Sequence, residues 1–361
     1  MTTSTDVGSL PPRVDYSKLR EGARKTYTVE RFLPRRSAED PLSVFEGEVV
    51  GAFVDKLRAG VTVPNYPQFR DMNEMFLEML QGVERTEKGY TAIHEPHARP
   101  GSTIPETDIL RQNLSPIRDA AGAERIRAKA CVTGPYTLSS LFTNRGPDLL
   151  RGLGEAVAEI TARSVFNLRE GEIALLSIDE PVLGFLDDPL IDHSSEGRGA
   201  LKDAWERICV AASSRGAETM MHLHSTSEQL FWDVEHLDII EPHVDDPLYR
   251  QENTRRLLEE RDKRLKASIS VTRYDDLIGA RTQGDEDIGK AWVDIRKGRT
   301  DPAHFLEDTR MMEKRLKAIV ASFGAERVPY AGPECGMGGF PSYGCAMEYL
   351  RRNAEAVSRY T

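Results

Sequence analysis

The chain has 361 residues, 39% of them hydrophobic, enough for one large domain with a substantial core. Its formal net charge is −10, which argues against a nucleic-acid-binding surface. Four scattered cysteines (Cys131, Cys209, Cys335, Cys345) form no disulfide framework and point to a reducing compartment, the cytoplasm, and neither a signal peptide nor a run of roughly 18 apolar residues is present to direct the chain to or through a membrane.

Along the chain, short apolar runs alternate with longer amphipathic stretches. Strands are expected at 6–9, 60–63, 127–132, 173–178, 218–223, 237–240, 265–271 and 328–331. Helical patterning covers 44–59, 74–80, 149–170, 199–215, 254–264, 302–322 and 344–360, with apolar residues at i, i+3 and i+4 clearest in 149–170 and 302–322. Eight strands alternating with helices predict an α/β fold, a single (β/α)8 TIM barrel spanning residues 1–361 with loop excursions. An open doubly wound sheet is the alternative. Segments 27–41, 90–105 and 275–300 read as long loops, the last of them a solvated charged face or an active-site lid.

Several expected strands end in chemically rich residues, where a barrel places its active site. These are Gly8-Ser9, Asp179-Glu180-Pro181, His222-Leu223-His224, Glu241-Pro242-His243 and Glu334-Cys335-Gly336. On a strand, residues i and i+2 point the same way, so both imidazoles of His222 and His224 can face one point. A cysteine from a distant strand end, Cys335, could complete a tetrahedral zinc site. Glu241 and His243 share the i, i+2 spacing, and both stand as candidate ligands. Each has a plainer reading: a packing accident for His-x-His, a small buried residue for Cys335, a salt-bridge partner for Glu241, a loop-bonded ring for His243. Asp179 could equally cap a helix. His94 and His97 read as loop structure, and the glycines after Cys335 as a sharp turn.

Six stretches occur together in order: Val7-Gly8-Ser9-Leu10-Pro11, Arg70-Asp71-Met72-Asn73-Glu74, Thr133-Gly134-Pro135-Tyr136-Thr137, Ile178-Asp179-Glu180-Pro181, His222-x-His224 and Pro333-Glu334-Cys335-Gly336-Met337. In these the chain resembles the C-terminal catalytic barrel of cobalamin-independent methionine synthase and its single-domain archaeal-type relatives, within the superfamily that includes uroporphyrinogen decarboxylase. The resemblance runs over nearly the whole chain.

It implies a zinc-dependent methyltransferase acting on a thiol, with homocysteine giving methionine as the specific expectation. It implies Zn2+ on a His-x-Cys pair, a Glu on the next strand and a late Cys. His222 and Cys335 match; His224 stands where the family has Cys, and the Glu falls on His243 or, with a gap, on Glu241. Asp179 is the expected catalytic-site carboxylate that grips the substrate ammonium, Ser9 the contact to its carboxylate, and Gln68 the neutral counterpart of a second family carboxylate. The methyl donor is expected to be a folate or a methylated corrinoid protein. Two alternatives remain: alkyl transfer to another thiol, as in epoxyalkane:coenzyme M transferases, and a non-catalytic thiol- or corrinoid-binding relative.

Overall fold

The computed structural model describes residues 1–27, 37–282 and 285–360, so the expected loop at 27–41 falls mostly outside the described residues. Among the described residues, nine strands form: β1 (Thr3–Ser4), β2 (Leu80–Thr86), β3 (Gly89–Ala98), β4 (Ile126–Thr133), β5 (Gly171–Glu180), β6 (Glu218–Leu223), β7 (Ile239–Glu241), β8 (Arg264–Ser270) and β9 (Tyr330–Pro333). Seven of them build a sheet in the order β1-β9-β8-β7-β6-β5-β4, every neighbouring pair parallel. Helices connect successive strands, including Pro147–Ser164, Glu196–Ser213, Thr254–Glu260 and Thr309–Phe323. This is an α/β fold of the expected class. No helix of the described residues is long and apolar enough to cross a membrane.

The chain divides into two compact units, Met1–Phe69 with Lys266–Thr361, and Arg70–Leu265. The second unit holds β4 to β7 and the opening of β8. Ala128, Ala130, Val132, Ile173, Leu175 and Ile178 are buried in β4 and β5, as parallel strands covered on both faces require. The helices Pro147–Ser164 and Glu196–Ser213 pack closely here: a Cβ on Gly154 would lie 2.3 Å from the Ala204 Cβ. Ser195 caps the second helix by accepting from Arg198 N. Register then sets the site. Thr133 on β4 pairs with Asp179 on β5, Asp179 with His222 on β6, and His222 with Glu241 on β7. Residues in one register row point to the same side of the sheet, so three of the chemically rich residues are delivered together.

The first unit departs from the expected strand positions in two places. Residues 60–63 form no strand; one bridge joins Thr5 and Val63. No strand forms at 6–9 either, where one bridge joins Ser9 and Gln68; β1 lies earlier, at Thr3–Ser4. At 60–63, Ser4 Oγ donates to Gly60 O at 3.1 Å and accepts from Thr62 N at 2.9 Å, and Thr5 Oγ1 donates to Val63 O at 2.7 Å. At 6–9 and at Asn65 a buried lysine intervenes. Lys56 Nζ donates to Asp6 Oδ2 at 2.7 Å, Gly8 O at 3.1 Å and Asn65 O at 3.0 Å, while Asp6 Oδ1 accepts from Asn65 N at 2.8 Å. Backbone groups that a ladder would use are thus bonded to side chains.

Two expected loops are also corrected. Residues 90–98 belong to β3, which pairs antiparallel with β2, and Pro105–Gln112 is a helix. Tyr90, Thr91 and Ile93 are good strand formers, and the short Glu87-Lys88 turn closes the hairpin. Likewise 275–300 contains the helices Tyr274–Gly279 and Asp285–Arg296. Ile288, Trp292 and Ile295 carry helical spacing that the surrounding charges obscure. Trp292 Nε1 donates to Asp275 Oδ1 at 2.6 Å, and its ring lies 5.2 Å from that of Tyr274.

Candidate metal centre

The sites expected from sequence fall into both units. In the second, His222 ends the register row on β6, His224 follows two residues later, and His243 stands two residues past Glu241. Their rings close on one another, with centroids 5.2 Å apart for His222 and His224, 5.5 Å for His222 and His243, and 4.2 Å for His224 and His243. Each ring offers a nitrogen within 4.8 Å of those of the other two. Tetrahedral zinc, with Zn–N bonds of about 2.0–2.1 Å, sets its nitrogens roughly 3.4 Å apart, which small ring rotations reach from here. Neutral imidazoles are also ligands that zinc accepts readily. The residues present fit a metal ion.

Glu241 is differently employed. It is fully buried, and its Oε2 accepts from Lys129 Nζ at 2.9 Å. Its Oε1 stands 3.6 Å from His222 Nδ1. Burial draws the Lys129 pKa down, but the Glu241 and Asp179 carboxylates outweigh it and the net shift is upward, so the lysine is charged. Lys129 was not among the residues expected from sequence. Its signal was available: one lysine inside the apolar strand Ile126–Thr133, where an unpaired charge would be expensive.

Asp179 is buried beside this group, and its Oδ1 accepts from Ser177 Oγ at 2.7 Å. Burial pushes its pKa up to about 6, against the opposing pull of His222 and Lys129. Glu180, the next residue, faces away. Its Oε1 accepts from Tyr136 N at 3.0 Å and Trp205 Nε1 at 2.8 Å, and its Oε2 from Thr137 N at 2.7 Å and Thr137 Oγ1 at 2.6 Å. His94 and His97 lie on the exposed hairpin strand β3, where His97 bonds to Gln81 Oε1 at 3.0 Å.

The first unit gathers Ser9, Gln68 and Cys335. Ser9 bridges to Gln68, and Leu10 N donates to Gln68 O at 3.2 Å. The turn after Cys335 folds onto Ser9: Met337 N donates to Ser9 O at 2.9 Å and Gly338 N to Ser9 Oγ at 3.2 Å. A Cβ on Gly336 would meet Ser9 Oγ at 1.9 Å, so any side chain there displaces the serine hydroxyl. Cys335 itself is half-buried.

The chain is similar to known proteins. The family model described as "Cobalamin-independent synthase, Catalytic domain" matches residues 1–253, a stretch that contains all three histidines. A 5-methyltetrahydropteroyltriglutamate–homocysteine methyltransferase of Streptomyces griseus is 24% identical over 225 residues, 61% of this chain and 28% of that protein. A methionine synthase of Sulfolobus acidocaldarius is 20% identical over 307 residues, 83% of this chain and 77% of the relative. The chain thus spans less than a third of the length of the Streptomyces relative. Among solved structures, a B12-independent methionine synthase from Shewanella sp. W3-18-1, in complex with selenomethionine, superposes with a TM-score of 0.63 at 13% identity, covering 99% of this chain and 98% of the other. That likeness shows a common fold. The family match, extending over 253 of 361 residues, shows more: the chain belongs to the cobalamin-independent synthases, by their catalytic domain.

Proposed function

We propose that the chain is a single (β/α)8 catalytic barrel over residues 1–361 that moves a methyl group to a thiol, homocysteine giving methionine. The observation that carries this reading is the cluster of His222, His224 and His243 at the ends of β6 and β7. The relatives' names support the thiol and a methylated pteroylglutamate as donor; they lend nothing to a corrinoid protein. The ligand set we assign is His222, His224, His243 and Cys335. His243 is preferred to Glu241 because the Glu241 carboxylate is already engaged by Lys129. An acidic chain with few cysteines suits a reducing cytoplasm.

Zinc bound by these residues supplies thiol acidification, so that the substrate sulfur is a thiolate at neutral pH. The rest falls to the chain. Asp179, charged above about pH 6, receives the substrate ammonium. Ser9 Oγ, which accepts from Gly338 N, donates its own proton to the substrate carboxylate. Gln68 lends a neutral amide to the same ligand. In the transfer, a sulfur–carbon bond forms as the donor's nitrogen–carbon bond breaks, and the proton lost by the thiol is balanced by one gained at the leaving nitrogen. Three imidazoles and one thiolate leave a divalent ion net positive. Relative to the two thiolates and carboxylate of the family pattern, this favours thiol deprotonation and makes the thiolate less nucleophilic.

The uncharged Gln68 favours a second reading, alkyl transfer to a thiol lacking an ammonium, such as a coenzyme M-like sulfonate. Bound zinc and thiol-dependent proton release, measured with homocysteine and with coenzyme M, separate the readings. Equimolar zinc and release with homocysteine are expected. A preference for the sulfonate transfers the assignment to the second reading. Zinc without release from either thiol leaves a non-catalytic relative, and no zinc overturns the centre.

A further inference from the structure

We propose that Lys129 and Glu241 are positioning residues of the metal centre: a buried lysine that anchors a carboxylate, which in turn orients His222. This rests on the zinc reading above and deepens it by naming what holds the ligand in place. The geometry is a chain of three groups on three strands. Lys129 lies on β4 at the register of Leu175; Cys131 and Thr133, two and four residues on, point to the same side and pair with Ser177 and Asp179. From there Lys129 Nζ reaches Glu241 Oε2 on β7 at 2.9 Å. The other carboxylate oxygen faces His222 Nδ1 at 3.6 Å. Lys129 and Glu241 are both wholly buried, and His222 is nearly so.

A buried ion pair needs a reason, because replacing such a pair by well-packed apolar side chains is often neutral or stabilising. The reason here is directional. A ring that ligates through one nitrogen is commonly fixed by a carboxylate at the other. With Glu241 Oε1 3.6 Å from Nδ1, the nitrogen left for a metal shared with His224 and His243 is Nε2 of His222. Left to itself, a carboxylate beside a cluster of imidazoles could swing in as a ligand. Held by Lys129, it stays behind His222, and the ion pair contributes no net charge to the centre. The same arrangement explains how Glu241 and His243, equally spaced on the sequence, take different roles.

The test uses the purified full-length chain. Zinc affinity is measured by chelator competition, the Co2+-substituted protein by its visible absorption, and the metal-free protein by the 15N shifts of the histidine rings. The Lys129→Met/Glu241→Met double variant replaces the pair with apolar groups of similar volume, and Glu241→Gln keeps the shape while removing the charge. The expected result is that both fold, that the double variant binds zinc roughly ten- to a hundredfold more weakly than wild type, the range typical for lost outer partners of a ligand, that Glu241→Gln falls between, and that the Co2+ bands shift. In the metal-free wild type His222 should carry its proton on Nδ1, a preference weakened in Glu241→Gln. Folded variants with zinc affinity within about twofold of wild type, an unchanged Co2+ spectrum and an unchanged His222 tautomer overturn the inference while leaving the zinc site standing. Wild-type protein that binds neither metal overturns both.

Discussion

Two groups in the second unit have the composition of a metal site, and they differ instructively. Glu206, Glu235 and His236 gather ligand atoms as closely as the three histidines do. Yet Glu206, on the helix Glu196–Ser213, is spent on local structure: it accepts from Glu235 N at 2.8 Å and from His236 N at 3.2 Å, and it pairs with the His236 ring. Its partners lie exposed on a loop. The histidine corner stands at the ends of parallel strands, where sheet register delivers the rings and a buried pair backs one of them. Proximity of the right atoms is common on protein surfaces. What separates a site from a loop cap is whether those atoms are turned toward one another and supported from behind, or already committed to neighbouring backbone.

The sharpest way to break this comparison is His222→Ala. It should lower zinc affinity at least about a thousandfold, equivalent to roughly 4 kcal/mol, as read by metal analysis after dialysis. Retained zinc would place the metal elsewhere, with the Glu206 group next in line.

Glu180 comes next, a strand-end carboxylate with no part in the metal corner. Burial pushes its pKa up to about 7, against the hydrogen bonds from Thr137 and Trp205. The folded chain therefore keeps a proton that the unfolded chain releases, starting near the ordinary carboxyl pKa of 4.5. Stability from this group is full below that pH and falls as pH rises toward 7, by up to roughly 3 kcal/mol. Glu180→Gln should flatten that part of the curve in urea melts at pH 4.5, 6 and 7.5. An unchanged slope would mean that four hydrogen-bond donors keep the carboxylate charged.

His224→Cys, which restores the family ligand, should raise methyl transfer about tenfold, some 1.4 kcal/mol of barrier, if thiolate nucleophilicity limits the rate. A slower enzyme would mark the site as tuned for a different electrophile. Smallest is Glu206→Ala, expected to cost about 1 kcal/mol of stability through its lost backbone bonds, with zinc binding unchanged. A loss of zinc there would erase the distinction between the two groups.

Much of this was legible in the residues because it depends on local periodicity. Strand β6, at Glu218–Leu223, coincides with its expected bounds, since the buried Met220, Met221 and Leu223 lie between the Gly216 turn and the polar Ser225-Thr226 and leave little freedom. The paired spacing of His222 with His224 and of Glu241 with His243 likewise needs only the two-residue repeat of a strand. Misjudged elements had their patterns masked. The charges of 285–296 hid a helix whose apolar side is three residues wide, and the backbone of 60–63 bonds to the hydroxyls of Ser4 and Thr5 rather than forming a ladder.

The sequence by itself determined the alternation of strands and helices, the strand-end positions of the polar residues and the kinship with the cobalamin-independent synthases. These follow from hydrophobic repeats and short motifs, which act over a few residues. Only the tertiary structure decided that Asp179, His222 and Glu241 share one register row, that three imidazoles meet, and that Glu241 turns to Lys129, 112 residues earlier in the chain. Spacing along a strand says which way a side chain points, but not what a distant strand will place opposite it. For the buried carboxylate of Glu241, that partner is the Lys129 ammonium, supplied by a strand to which spacing along β7 does not point.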